Sequence, residues 1–109
     1  MSHALAPRRA NRWPVMLAAI CRTQNGLRDN ARIFDISAHG CSLETRALAL
    51  RTGMRVIIRP QGLEGLTGVV RWIEGHLAGI EFDSPLYEPV VDHLGRLHAA
   101  DRKVHASSC

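Results

Sequence analysis

The sequence predicts a mainly β chain, an antiparallel barrel or sandwich, followed by one amphipathic helix. Short stretches in which apolar and polar residues alternate recur between residues 14 and 82, and turn-forming residues separate them. The pair Asn25-Gly26 is one such turn, and Asn-Gly is a strong β-hairpin signal because both positions of the tight turn require positive φ. After Asp83 the apolar spacing changes to that of a helix face.

The alternation predicts strands at residues 14–24, 31–37, 41–45, 54–59, 66–73 and 77–82. The Asn25-Gly26 turn makes the first two strands antiparallel neighbours, so the end of the second should lie near the start of the first. Glu74-Gly75 is the corresponding turn between the last two strands.

A helix is predicted at about residues 86–104. Ser84-Pro85 fits a cap followed by a first-turn proline. Val90, Leu94 and Leu97 recur at helical spacing and predict the apolar stripe. Packing of this stripe on the barrel is favoured over its use as a partner face.

At 109 residues, with 46% apolar and 22% charged residues, the chain has the composition of one globular domain. We expect a flexible tail at residues 1–7, a single domain at 8–105 with its barrel at about 13–83, and a second tail at 106–109. The longest apolar run, residues 15–21, is too short to span a bilayer, which takes about 20 residues. Because no signal-peptide pattern is found either, a cytoplasmic location is expected.

The three cysteines, Cys21, Cys41 and Cys109, have an odd count and no CxxC spacing. This pattern fits neither a disulfide framework nor a zinc clip. We expect reduced, buried thiols.

Arginine dominates the positive charge, since 13 of the 14 basic residues are arginines. The formal charge of +4 falls to +1 without the three arginines of the first twelve residues. This local charge favours a specific anion over a long nucleic acid. Five aromatic residues are also few for a single-strand-binding surface, which stacks bases on aromatic rings.

The end of the second predicted strand carries a compact polar patch. Strict alternation places Asp35 and Ser37 on the same face as Ile33, with Ile36 on the opposite, apolar face. A carboxylate beside a hydroxyl suits an edge with several N–H groups, such as that of guanine. Gly40 allows either a tight turn or the close approach of a ligand.

Together, these residues resemble the two signatures of the PilZ domain family, RxxxR and (D/N)xSxxG. The first is matched by Arg8 and Arg12, with Arg9 as an additional arginine, and the second by Asp35, Ser37 and Gly40. The order and separation of the motifs, ahead of a β-rich run ending in Val70-Arg71-Trp72 and Gly79-Ile80-Glu81-Phe82, extend the resemblance over about residues 7–99.

The resemblance implies a six-stranded antiparallel barrel with a C-terminal helix, and binding of the bacterial second messenger cyclic di-GMP. It implies that Arg8, Arg9 and Arg12 grip phosphates and guanine edges while Asp35, Ser37 and Gly40 form the guanine platform. Because the leader before Arg8 is short, we expect a stand-alone member that signals through an unknown downstream protein. No catalytic residue, metal or further cofactor is expected.

Simpler interpretations stand beside this one. Taken alone, the arginine run is a solvated basic tail and the second motif is a strand end with a serine turn. The family also includes ligand-independent interaction adaptors, which is the alternative function. Asp35, Ser37 and His39 supply the residue types of a catalytic triad, but neighbouring strand residues do not converge as a triad must.

Two further groups are assigned structural roles. Trp72 and Phe82 lie within apolar runs and are expected in the core. His105 follows Asp101 by four residues on the predicted helix, but two candidate ligands without a third are usually surface residues.

Overall fold

The computed structural model describes residues 12–46 and 49–99. Its strands are β1 (Trp13–Thr23), β2 (Arg28–Ile36), β3 (Gly40–Glu44), β4 (Arg55–Pro60), β5 (Leu66–Glu74) and β6 (Leu77–Phe82), and the helix α1 covers Glu88–Leu97. The six strands close into an antiparallel barrel in the order β1-β2-β3-β6-β5-β4. The predicted fold class, a six-stranded antiparallel barrel with a C-terminal helix, is confirmed.

The first hairpin forms where Asn25-Gly26 predicts it, but with a longer turn. The N–H of Thr23 donates to the carbonyl of Leu27, and the N–H of Gly26 donates to that of Thr23. Among the described residues only glycines have positive φ, and Gly26 does so at 93°. The expectation that Asn25 also adopts positive φ is therefore wrong, because a four-residue loop needs only one such position.

The barrel interior is built by alternation along the strands. On β1 the side chains of Val15, Leu17, Ala19 and Cys21 are buried, while those between them are exposed. The buried positions of the other strands complete one apolar core. Burial of this shared core stabilises the closed barrel at roughly 25 cal/mol per Å² of apolar surface.

The helix covers less of the chain than the predicted range of about 86–104. It begins later because its N-cap is Tyr87 and Pro89 occupies the first turn, where a missing N–H is harmless. At the other end the N–H of His98 donates to Leu94, and Ala99 forms an antiparallel bridge with Val15. The helix thus ends where the chain pairs with β1, and residues 100–104 lie outside the described part.

The buried face of α1 differs from the predicted stripe. Val91 and Leu94 enter the core, Val90 is partly buried, and Leu97 is 63% exposed. Packing on the barrel is confirmed, but Leu97 was wrongly placed in the stripe, because the buried face of the helix is formed by Val91, Leu94 and Gly95 and Leu97 lies to one side of it. No helix in the described part of the chain is both long and apolar enough to cross a membrane.

Strict alternation fails on β2, next to the polar patch. The pairing of β2 with β3 shifts register between Ile33 and Asp35, which is a β-bulge. As a result Ile33 and Ile36, three residues apart, are both fully buried. The prediction that Asp35 shares a face with Ile33 is wrong, because the bulge adds one residue and reverses the faces beyond it.

Candidate functional site

The two sequence motifs meet at an ion pair between Arg12 and Asp35. The Arg12 guanidinium donates from Nη1 to Oδ1 of Asp35, across a sequence separation of 23 residues. The β1–β2 hairpin creates this proximity, because Pro14 pairs with Asp35 across the two strands. The side chains remain 34% and 31% exposed, so the pair lies at the surface, where a ligand can reach it.

The predicted site also includes Arg8 and Arg9, which lie outside the described residues. Both precede Arg12 by a few positions in the chain. Arg12 is therefore the member of the arginine motif whose position is known.

Ser37 is buried and engaged within its own turn. Its hydroxyl accepts a hydrogen bond from the N–H of His39 at 3.2 Å and lies 3.4 Å from the carbonyl oxygen of Gly40. Its N–H donates to the same carbonyl at 2.8 Å. This serine turn connects β2 to β3 and sets the path of the chain after Asp35.

Gly40 is a glycine because another strand approaches it closely. It pairs with Glu81 of β6, and a Cβ at this position would overlap the carbonyl oxygen of Ile80. Its φ is not positive. The role of this glycine in the fold is thus the close β3–β6 approach rather than a tight turn.

A row of paired strand positions continues from Asp35 across the outside of the barrel. The strand register pairs Asp35 with Ser42, Ser42 with Gly79, and Gly79 with Trp72. Adjacent strands are about 4.8 Å apart, so Asp35 and Gly79 are roughly 10 Å apart. The sequence could not place Gly79 near Asp35, since the β3–β6 pairing joins segments that are far apart in the chain.

Trp72 lies at the end of this row and not in the core, so the prediction of a core tryptophan is wrong; Phe82, by contrast, is buried as expected. The indole covers Gly79, where a Cβ would overlap the ring. A register shift between Val70 and Trp72 brings the ring to the outside. The bulge, which no alternation pattern reveals, explains the error.

The helix holds the start of β1, next to Arg12. The indole N–H of Trp13 donates to Oδ1 of Asp92 at 3.3 Å, and the ring packs against Gly95, where a Cβ would overlap it. The N–H of Met16 donates to the carbonyl of His98 at 2.8 Å. These contacts fix the backbone from which Arg12 projects.

The described residues contain no group of three or more metal-ligating side chains. Asp101 and His105, the pair weighed as metal ligands, lie outside that part of the chain. Nothing within residues 12–46 and 49–99 suggests a metal centre.

Comparison with known proteins identifies the family. The PilZ domain model matches residues 6–100, nearly the whole chain. This chain belongs to the PilZ domain family. PilZ domains are binding and adaptor domains.

Among solved structures, this PilZ domain is similar to the Bacillus subtilis inhibitor of motility, MotI/DgrA, with a TM-score of 0.58 and 19% identity. The match covers 83% of this chain and 48% of that one, so this chain spans about half the length of its structural neighbour. At this identity the likeness shows the fold. None of the curated proteins matches the chain.

Proposed function

We propose that this PilZ domain is a receptor for cyclic di-GMP. The observation that carries the proposal is the contact between Arg12 and Asp35, which joins the two family motifs at one exposed place. Family membership supports the same ligand, since cyclic di-GMP binding is typical of PilZ domains.

The chemistry of the pair suits the ligand. Cyclic di-GMP carries two phosphodiesters and two guanines. A carboxylate such as that of Asp35 accepts from guanine N–H groups, whereas a guanidinium such as that of Arg12 forks onto guanine O6 and N7 or onto phosphate oxygens.

The ion pair can be rearranged by the ligand at little cost. Both side chains are about one-third exposed, and exposed ion pairs contribute only about 0–1 kcal/mol. In the free protein the pair orients Asp35 outward, and in the complex Arg12 exchanges the carboxylate for an anionic or guanine acceptor. The domain is thus partly preorganised.

Trp72 supplies a second contact in this proposal. Stacking of a base on an aromatic ring is worth about 1–3 kcal/mol. The indole lies over Gly79, roughly two strand spacings, or about 10 Å, from Asp35. This separation allows one ligand to place one base at the carboxylate and its other half near the indole.

The remaining motif residues complete the proposed site. Arg8 and Arg9 grip phosphates from the segment before Arg12, while Ser37 and Gly40 shape the strand end that carries Asp35. Ordering of the arginine segment by the ligand then favours or blocks a partner protein, by as much as the ligand's affinity differs between the two states. A cytoplasmic location fits this role.

Isothermal titration with cyclic di-GMP tests the proposal. We expect saturable binding to the wild-type protein and at least about tenfold weaker binding for Arg12→Ala and for Asp35→Ala, because each change removes charge-assisted hydrogen bonds to the ligand. The ion pair of Arg46 with Glu44, at 3.2 Å, is the matched control. Arg46→Ala should bind like the wild type.

Absence of binding heat and of any thermal shift at high ligand concentration, in a folded sample, would overturn the proposal. So would an equal loss of affinity in Arg46→Ala, because a general charge effect would then account for binding.

The second candidate is a ligand-independent adaptor. It is favoured by Ser37 and Gly40, which both have roles inside the fold that require no ligand. An adaptor should keep its affinity for its partner in the double variant Arg8→Ala/Arg12→Ala, whatever the concentration of cyclic di-GMP. A receptor should lose the response of that affinity to the messenger.

A further inference from the structure

A cluster of arginines occupies the outer surface of strands β2, β1 and β4, apart from the row that starts at Asp35. We call it the arginine face. It consists of four exposed arginines around two partly exposed isoleucines: Arg22, Arg28, Arg32 and Arg59 around Ile20 and Ile57.

The strand register brings these side chains together. Ile20 lies between Asn30 of β2 and Arg59 of β4, and Arg22 lies between Arg28 and Ile57. Side chains directly opposite each other on neighbouring strands have Cβ atoms about 4.5–5.5 Å apart. The row through Ile20 and the row through Arg22 therefore form one continuous surface.

The charge of this face is not neutralised within the described domain. Arg55 and Arg71, which also lie on strands, pair with Asp83 and Glu81. The exposed positions of β1, β2 and β4 carry no acidic residue that could neutralise the four arginines of the face. Arg22 and Arg28 even oppose each other directly, an arrangement that destabilises a sheet.

The centre of the face is apolar. Ile20 is 41% exposed and Ile57 is 39% exposed, although strand positions between arginines could hold polar residues at no cost to the core. An apolar centre with arginines around it is the composition that protein–protein interfaces favour.

We propose that the arginine face docks a protein partner whose surface presents carboxylates around an apolar centre. Arginine forks bind carboxylates in a bidentate manner, and the isoleucines supply the desolvated contact between them. The partner's negative charge removes the repulsion between Arg22 and Arg28. Docking is stronger at low ionic strength, because exposed charges are screened by salt.

The composition of the face favours a protein partner over a nucleic acid or a membrane surface. No aromatic residue belongs to it, whereas single-stranded nucleic acids stack on aromatic rings and membrane interfaces favour tryptophan and tyrosine. Arg32 lies opposite Ala18 and Arg28 lies opposite Arg22, so the face extends about 13 Å along β1, and it extends roughly 10 Å across three strands. This is smaller than the roughly 800 Å² per partner of a stable complex, so docking is transient.

Docking at this face does not depend on cyclic di-GMP binding. The face lies on β2, β1 and β4, whereas the row from Asp35 to Trp72 crosses β2, β3, β6 and β5. The two proposals can therefore fail separately.

Site-specific photo-cross-linking in the native cells identifies the partner. A benzoylphenylalanine replaces Ile57 in one variant and Ile73 in the other, since Ile73 is also 39% exposed but lies on β5, outside the face. The protein cross-linked from position 57 is then produced and purified. Its dissociation constant for the full chain is measured by isothermal titration.

The decisive comparison uses charge reversal. We expect Arg22→Glu/Arg59→Glu to weaken binding of the purified partner at least about tenfold, since like charges then face each other across the interface. Arg46→Glu/Arg96→Glu carries the same change of charge on exposed residues outside the face and should keep the wild-type affinity. Both variants should remain folded and keep the wild-type affinity for cyclic di-GMP, because none of the four substituted residues lies in the row from Asp35 to Trp72.

Three outcomes would overturn the proposal. The first is cross-linking from position 57 that is absent or identical to that from position 73. The second is a purified partner whose affinity is unchanged in Arg22→Glu/Arg59→Glu. The third is a dependence on these two arginines for binding to phosphatidylglycerol vesicles or to an oligothymidine, because the occupant would then be a membrane or a nucleic acid.

Discussion

Gly40 lies opposite Glu81 in the β3–β6 pair, where a Cβ would overlap the carbonyl oxygen of Ile80. A backbone carbonyl cannot move aside as a flexible side chain can, so β3 and β6 would have to separate. At the residue scale, this glycine of the motif is therefore required for folding whether or not a ligand binds.

Gly40→Ala should lower the free energy of unfolding by about 3 kcal/mol or more, in the range of severe steric changes. Gly53→Ala is the matched control, since Gly53 has a φ of 86° but open space around its Cβ position. It should cost only about 1–2 kcal/mol of backbone strain. Urea unfolding measures both, and equal losses would show that the strand approach is unimportant.

At the scale of elements, α1 and the start of β1 form one unit through Trp13. The indole donates to Asp92 and packs on Gly95, while Met16 donates to His98. Because Arg12 directly precedes Trp13, any shift of α1 changes the position of Arg12 relative to Asp35. The helix is thus a structural support of the proposed ligand site.

Gly95→Ala separates helix propensity from packing. In an exposed helix this change stabilises by about 1 kcal/mol, whereas here the added Cβ would overlap the Trp13 ring. We expect a net loss of about 1–3 kcal/mol in the free energy of unfolding, together with altered tryptophan fluorescence.

The exposed helix residue His93 provides the control, and His93→Ala should leave both measurements near wild type. An increase in stability for Gly95→Ala would contradict the packing of α1 on Trp13.

At the scale of the whole molecule, the closed barrel excludes water from two thiols. Burial, with a smaller effect of Asp29, raises the pKa of Cys21 from 9.0 to about 11. Burial, with a smaller effect of Asp35, also raises the pKa of Cys41 well above its ordinary range. Both thiols are free and buried, as the sequence predicts, and Cys109 lies outside the described residues.

The free energy of unfolding should therefore decrease as the pH rises above about 9.0. In the unfolded chain the two thiols lose their protons above about pH 9.0, whereas in the folded barrel they keep them, so a rise in pH favours unfolding. Each thiol contributes a slope of at most about 1.4 kcal/mol per pH unit. Urea unfolding between pH 9 and pH 11 measures the slope.

The variant Cys21→Ala/Cys41→Ala isolates this contribution. It should be less stable at neutral pH, since two buried side chains are shortened, but its stability should decrease less steeply above pH 9.0. Identical slopes in the two proteins would exclude the thiols as the cause.

The parts of the fold that depend on residues close together in the sequence could be predicted. Alternation places all six strands within about three residues of their observed bounds, and the turn at Asn25-Gly26 predicts the pairing that brings Arg12 to Asp35. The bulges could not be predicted, because one extra residue in a strand follows from the pairing with its neighbour. The faces of Asp35 and Trp72 were misassigned for this reason.

By itself the sequence determined the positions of the strands along the chain, the first hairpin and the meeting of Arg12 with Asp35, since these arise from side-chain periodicity and local turn chemistry. Only the tertiary structure decided what surrounds Asp35 and which arginines share the arginine face. The β3–β6 and β1–β4 pairs join segments that are far apart in the chain. Their register is set by closure of the barrel around one core, a condition on all six strands at once.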